Sequence, residues 1–314
     1  ETPRFASEYG VQAFPPMSTI LEFADSSDLQ YRSEVMTHRQ RSDMPWIAPN
    51  MDGNEMILNY IKKYYPEPKN FEQYVYLSQM MQARGLQTAI EAHRSNMPRT
   101  MGSLYWQIND CWPTMSWASM DYYGNWKASH YRVKDGFKET ILTFENKEDG
   151  LILRTATDSR EPFNAILLVE QKDFSGRIIK VQEEEVAIQP GTATRVADLT
   201  DSELENNHFI HARLYHENQV MDEAIFMKDH FKDIALPEVN IDQKIAKTDI
   251  GYILTLESDQ LVWGVRLNPL DSGIHYSDNY FYLTPGEPKV ITCKTARNIE
   301  DFKIYSLNQL QHEK

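Results

Sequence analysis

The spacing of apolar positions changes once along this chain, near residue 138, and the change divides it into two kinds of structure. Before that point, short apolar runs are separated by longer stretches of helical spacing. Arg4-Phe5-Ala6-Ser7 reads as a short buried strand that ends in Glu8-Tyr9-Gly10. Pro15-Pro16 pre-sets a helix start whose apolar positions are Met17, Ile20, Leu21 and Phe23. Residues 25–53 are polar and irregular, and Asp52-Gly53-Asn54 closes that loop. A helix through Met56, Ile57, Tyr60 and Ile61 follows, stopped by Pro66 and Pro68. Asn70 and Gln73 have the spacing of a capping box and open a longer helix from Phe71 to about Asn96. Its apolar residues Tyr74, Leu77, Met81, Leu86 and Ile90 spread around the helix, which predicts cover on more than one side. After Pro98 the run Met101–Asp110 predicts a second strand, and Trp126–Phe137 a last helix. Strand, helices, strand is the order of a parallel crossover.

Beyond about Lys138 the period becomes that of strands. Leu151–Leu153, Ala165–Val169, Arg177–Val181 and Phe209–Tyr215 are separated by polar turns such as Ser175-Gly176 and Pro190-Gly191. About seven short strands in a hundred residues predict an antiparallel sandwich. Pro237-Glu238 reads as a linker to a second one, in which Ile250–Leu256, Leu261–Leu267, Tyr280–Leu283 and Lys289–Cys293 alternate around Pro285-Gly286. The expected domains are therefore 1–137, 138–236 and 237–314.

Composition narrows the function more than the fold. Hydrophobic residues at 41% and charged residues at 25% describe an ordinary globular chain, and no stretch suggests a membrane span. A net charge of -14 argues against nucleic acid, whose phosphates need a basic surface, and is neutral toward a sugar. Cys111 and Cys293 are far apart and form no CxxC pair, while His38, His93 and His130 lack the spacing of a metal site. Glu1-Thr2-Pro3 has neither a basic start nor an apolar leader core, and the chain opens almost inside a strand; both features read as a cut from something longer.

Candidate chemistry starts at Glu8. A barrel enzyme presents a catalytic carboxylate at the C-terminal end of a buried strand. On local sequence alone, Ser-Glu-Tyr-Gly reads as a strand end with a solvated glutamate. A second stretch changes that weighing: Trp106-Gln107-Ile108-Asn109-Asp110-Cys111-Trp112-Pro113, then Ser116-Trp117-Ala118-Ser119, then Tyr123-Gly124-Asn125-Trp126-Lys127 and His130-Tyr131. This block resembles the β-mannosidases of glycoside hydrolase family 2. Arg4–Gly10, His38-Arg39-Gln40, Gly53-Asn54 and Leu77–Ala83 resemble that family upstream of it, and Tyr276–Phe281 and Pro285-Gly286-Glu287 resemble its terminal immunoglobulin-like domain.

The resemblance implies a fold of class α/β plus all-β: the C-terminal part of a (β/α)8 TIM barrel followed by two immunoglobulin-like β-sandwiches. It implies a retaining glycosidase, which needs two carboxyl groups about 5 Å apart. Glu8 matches the family's nucleophile, and Trp106 its aromatic at the end of the eighth strand, forming a wall or floor for the sugar. Trp112 is a further substrate-binding candidate, while Asn109 and Asp110 are expected to support the loop. Trp117 and Trp126 are expected in the core. Arg39 and Asn54, in the long excursion between the strands, either shape the entrance or belong to a plain surface loop. The acid/base, a glutamate after an asparagine upstream of the nucleophile, has no match here, and Asn54-Glu55 reads as a helix start. The implied activity is removal of terminal non-reducing β-D-mannose from oligosaccharides, with the carbohydrate as partner and with no metal or organic cofactor, no nucleic acid and no membrane. The resemblance points to a periplasmic, secreted or lysosomal setting. The 314-residue chain alone is expected to be inactive, and its cut barrel either to self-associate through unpaired strand edges or to be held only by its own helices and the adjoining sandwich. The alternatives are a non-catalytic carbohydrate-binding or interaction fragment, and another family 2 specificity such as β-galactosidase or β-glucuronidase.

Overall fold

The computed structural model describes residues 2–313, except 46, 50, 148, 149 and 201. The chain divides into two compact units, each assembled from separate stretches: Glu1–Tyr9, Leu86–Tyr105 and Arg132–Asp229 in the first, Gly10–Gly85, Trp106–Tyr131 and His230–Lys314 in the second. Its elements begin with β1 (Phe5–Ala6), the helices α1 (Met17–Ile20), α2 (Glu34–Arg39), α3 (Gly53–Tyr64) and α4 (Phe71–Arg94), then β2 (Gly102–Ser103) and α5 (Ala128–Gly136).

In the first unit, β1 and β2 pair in parallel, Phe5 with Gly102 and Ala6 with Ser103. Gly102 has no room for a side chain, since a Cβ there would stand 2.1 Å from the Phe5 ring. The sandwich of this unit consists of β3 (Thr140–Lys147), β4 (Gly150–Thr157), β5 (Phe163–Asp173), β6 (Ile178–Ile188), β7 (Ala193–Asp198), β8 (His208–His216) and β9 (Gln219–Phe226). One sheet runs β3-β4-β7 and the other β6-β5-β8-β9. Alternate residues point inward, so Leu153, Leu167, Ile188, Ile210 and Leu214 form a continuous buried core. Glu217 and Asn218, both at positive φ, close the β8–β9 hairpin with two residues, the turn whose twist matches that of its strands.

In the second unit, β10 (Asp242–Thr248), β11 (Gly251–Glu257), β12 (Val262–Asn268), β13 (His275–Tyr276), β14 (Phe281–Leu283), β15 (Lys289–Lys294) and β16 (Lys303–Tyr305) form a second sandwich, followed by α6 (Leu307–His312). Its sheets run β10-β11-β15-β13 and β14-β12-β16. Every residue of α4 from Gln73 to Ala83 is buried, as its scattered apolar pattern predicts. Within this unit Tyr76 of α4 donates to the Gly264 carbonyl of β12 at 2.7 Å, while Tyr74 meets the ring of Phe14 at 4.9 Å.

Three sequence expectations need correction. The run Met101–Asp110 is a strand only over Gly102–Ser103. From residue 107 onward its backbone bonds turn to the following loop: Gln107 N donates to Trp117 O, and Ser119 N and Met120 N donate to Gln107 O and Ile108 O. A pairing ten residues away in sequence closes more cheaply than a long ladder. Among the described residues the parallel sheet has these two strands, and no closed barrel is formed. The capping box before α4 is half made, since Asn70 accepts from Gln73 N but the Gln73 side chain accepts from Lys69 N. Asp52 caps α3 by accepting from Glu55 N, leaving Asn54 fully buried, where it accepts from Gln40 and donates to the Tyr31 carbonyl.

Candidate active site

Glu8 lies two residues beyond the end of β1 and is exposed, next to Tyr9, which is held in place. In the same unit, the Tyr9 hydroxyl shares a 2.7 Å hydrogen bond with Ser103 Oγ at the end of β2, and His93 Nδ1 of α4 lies 2.9 Å from that oxygen. The Tyr9 and His93 rings meet edge to face at 5.0 Å. Burial pushes the Tyr9 phenol above its usual pKa and the His93 imidazole below its own, so both are neutral near pH 7. Tyr9 also packs on Leu86, Ile90 and Val133. The carboxylate is thus presented to solvent by a backbone whose next residue is anchored. Neither Ser103 nor His93 was distinguishable by sequence from a polar residue of ordinary surface character.

Trp106 and Trp112 belong to the second unit. Trp106 is 49% exposed, and its peptide bond to Gln107 is cis. Gly10 passes directly over its carbonyl: a Cβ at Gly10 would stand 2.1 Å from Trp106 O, so only glycine allows this approach. Trp112 is half-buried and meets His38 edge to face at 6.2 Å. Trp117 is half-buried, as is Trp126, which packs on His130 at 4.3 Å and Tyr131 at 5.2 Å. Trp46 lies outside the described residues.

Much of the rest of the tryptophan-rich block supports that loop. Asp110 is buried and accepts from Ser116 Oγ at 2.8 Å; burial raises its pKa, which Lys127 partly offsets. Asp121 accepts from the Thr19 hydroxyl, from Tyr123 N at 2.9 Å and from Asn125 N at 2.8 Å, fixing the turn that Gly124 completes at positive φ. Gln82 of α4 donates to the carbonyls of Val11 at 2.8 Å and Trp117 at 3.1 Å, and accepts from Ser129. Asn109 is exposed and donates to the Asp110 carbonyl.

Lys127 is fully buried, its ammonium donating to the carbonyls of Ala13 at 3.4 Å and Ser116 at 3.3 Å. Those residues form an isolated antiparallel bridge, so the lysine closes the junction between the segment after Glu8-Tyr9 and the loop after Trp106. Burial pulls its pKa from 10.5 down to about 8, against the pull of Asp110 and Asp121. A folded-state pKa below the unfolded one means that the unfolded chain binds more protons between those two values, so this residue's contribution to stability rises with pH across that window. Relative to a Lys127→Met variant, the wild type is expected to gain about 2 kcal/mol of unfolding free energy between about pH 8 and 10. Urea unfolding at both pH values measures this, and parallel changes in the two proteins would exclude it.

Among the described residues no cluster of histidine, cysteine, aspartate or glutamate could hold a metal, and no helix is long and apolar enough to cross a membrane. Both cysteines are free.

The chain combines a parallel strand pair, an exposed glutamate just beyond its first strand and two antiparallel sandwiches. Residues 153–233 match a mannosidase Ig/CBM-like domain and residues 236–310 an Ig-fold domain of mannosidases. The chain is similar to the C-terminal portion of the β-mannosidases of glycoside hydrolase family 2. It is 26% identical to β-mannosidase B of Emericella nidulans over 93% of its own length and 36% of that protein's. It is 35% identical to bovine β-mannosidase over 46% of its own length and 17% of the other's. Its fold is similar to the crystal structure of a β-D-mannosidase from Dictyoglomus thermophilum, with a TM-score of 0.87 and 27% identity over 96% of this chain and 37% of that one. An exo-chitosanase from Amycolatopsis orientalis shares the fold alone, at a TM-score of 0.75 and 15% identity. The chain thus spans little more than a third of the relatives that it matches along most of its length, 36% in the Emericella case.

Proposed function

We propose that this chain is the C-terminal portion of a retaining exo-β-mannosidase that removes terminal non-reducing β-D-mannose from oligosaccharides and glycoconjugates. In this reading β1 and β2 are the last two strands of a (β/α)8 barrel, and Glu8 is the nucleophile. Its carboxylate attacks the anomeric carbon, the glycosidic bond breaks, and a carboxylic acid outside this chain protonates the departing oxygen. Water then hydrolyses the mannosyl ester and frees Glu8. Trp106 offers an apolar face to the sugar's C–H groups, and Trp112 lies further along the same loop. The observation that carries the reading is the position of Glu8: an exposed carboxylate at the C-terminal end of a parallel strand, beside an anchored Tyr9, in a chain similar to β-mannosidases. Without the acid and the rest of the barrel, the 314-residue chain alone is expected to be inactive.

The test uses the full-length enzyme that contains this chain, reacted with 2-deoxy-2-fluoro-β-mannosyl fluoride, digested and read by mass spectrometry. A label on Glu8 is expected. Turnover of a β-mannoside with the label elsewhere would remove Glu8 from the role. Absence of both label and turnover would favour a carbohydrate-binding chain, and labelling by a galactosyl or glucuronyl reagent instead would change the specificity.

A second expectation concerns the 314-residue chain itself. Phe5, Met101 and Leu104 flank the two-stranded sheet and are 55%, 61% and 55% exposed. Unpaired strand edges beside exposed apolar side chains favour association. Sedimentation is expected to show concentration-dependent oligomers, and a monomer at all concentrations would refute this.

A further inference from the structure

The backbone that carries Glu8 is tied to one residue of β2 on both sides of the carboxylate. On the N-terminal side Ala6 pairs with Ser103 in the parallel sheet, and Leu104 N donates to the Ala6 carbonyl at 2.9 Å. On the C-terminal side the Tyr9 hydroxyl reaches Oγ of the same Ser103 at 2.7 Å. Only Ser7 and Glu8 lie between these two attachments. Ser103 Oγ in turn lies 2.9 Å from His93 Nδ1, near the end of α4. Leu86, Ile90 and Val133 form a buried cluster on which Tyr9 and Tyr105 pack. All of these residues share one unit with Glu8.

Ser103 has one hydroxyl proton for two neighbours. With His93 neutral and its proton on Nε2, Nδ1 accepts from Ser103, and Ser103 accepts from Tyr9, so every link of the chain is matched. A proton on Nδ1 would turn the chain round and leave the Tyr9 hydroxyl proton without an acceptor in it. Linked hydrogen bonds of this kind strengthen one another, and removing any member loosens the rest. The chain takes no part in making or breaking bonds. It fixes the backbone at Tyr9 and hence the point from which the Glu8 side chain starts. An attacking atom has to stand about 3–3.5 Å from its target, and a shift of about 1 Å can cost roughly 10²-fold in rate. We propose that Tyr9, Ser103 and His93 are positioning residues for Glu8, a proton-ordered chain that completes a two-point clamp on the backbone around it. The assignment rests on the reading of Glu8 as the nucleophile. The alternative is that the three groups only fasten α4 to the sheet and contribute stability alone.

Steady-state kinetics of the full-length enzyme with 4-nitrophenyl β-D-mannoside separate the two. Tyr9→Phe, Ser103→Ala and His93→Leu are each expected to lower kcat at least about tenfold while KM stays within about twofold, since binding groups are untouched and only the attack is misaligned. His93→Asn, which keeps an acceptor near the place of Nδ1, is expected to recover most of the His93→Leu loss. Tyr9→Phe combined with Ser103→Ala is expected to lose no more than the worse single variant, because both cut one chain. Near-UV circular dichroism and the urea midpoint show which variants are folded; Tyr9→Phe loses only one oxygen and so reports even if His93→Leu unfolds. A folded Tyr9→Phe with kcat within about twofold of wild type, or losses that multiply in the double variant, would overturn the positioning role. Labelling of Glu8 is read on the wild-type enzyme, so failure of the nucleophile reading and failure of this chain give different results.

Discussion

Replacing Glu8 by Gln in the full-length enzyme is expected to lower kcat for a β-mannoside by roughly 10^4-fold, because the amide cannot form the covalent ester that divides the reaction into two easier steps. Stability should hardly move. Glu8 is exposed, and a substitution of that kind usually shifts unfolding free energy by about 0.5 kcal/mol or less. The loss therefore appears in turnover while the urea midpoint stays in place. Replacement by Ala permits a sharper check. With the carboxylate gone, added azide can enter the vacated space and attack the anomeric carbon of an activated β-mannoside, expelling its leaving group and giving the α-mannosyl azide. Recovery of activity with that inverted product marks Glu8 as the nucleophile. Recovery with the β-product, or full activity in Glu8→Gln, would show that another group attacks.

Loss of Arg94 is expected to have the largest effect on folding. It lies near the end of α4 and is buried, and its guanidinium donates to the carbonyls of Gly136 at 2.9 Å, Lys138 at 2.5 Å and Glu139 at 3.0 Å, and to Asp158 at 2.9 Å. These carbonyls lie where α5 ends and β3 begins, at which point the helix leaves its last acceptors without helical donors. One planar cation thus supplies donors to the helix exit and to the approach of the first sandwich strand. Arg94→Met leaves the buried Gly136 carbonyl and the part-buried carbonyls of Lys138 and Glu139 without this donor, at a cost of ~3–5 kcal/mol. Little of this belongs to Asp158, which is largely exposed and screened by water. Arg94→Lys, with one nitrogen where Arg has a fork, is expected to recover only part of the loss. Urea unfolding monitored by circular dichroism measures both variants, and a cost under about 1 kcal/mol for Arg94→Met would remove Arg94 from this role.

The two roles of Arg39 and Lys127 show how residues of one charge are used differently within one unit. Lys127 is fully enclosed and bonded to backbone, so its contribution is to the junction between two segments. Arg39 is half-buried, donates to the Pro113 carbonyl and lies over the rings of Phe23 and Trp112, so its contribution is to hold the end of α2 against that loop.

Much of this protein was legible in its sequence because the relevant signals are local. Strand alternation over Ala165–Val169 and Phe209–Tyr215 depends on side chains two residues apart, and both runs lie in strands, β5 and β8. The scattered apolar residues of α4 announced a helix covered on several sides. Glu8 and the tryptophan-rich block were visible as residue types at spacings that resemble a family. What the sequence did not disclose depends on partners far along the chain. Met101–Asp110 has the composition of a strand, yet the bonds of its second half are made with residues 117–120, because loop closure placed those partners nearest. Nothing local to Lys127 or Arg94 marks a structural role; burial and the carbonyls of Ala13, Ser116, Gly136 and Lys138 give them theirs. The periodicity of side chains determined which elements form, since each element carries its own pattern. Tertiary structure alone decided which charges are buried and which donors remain open, since desolvation and hydrogen-bond satisfaction depend on groups brought together by the fold.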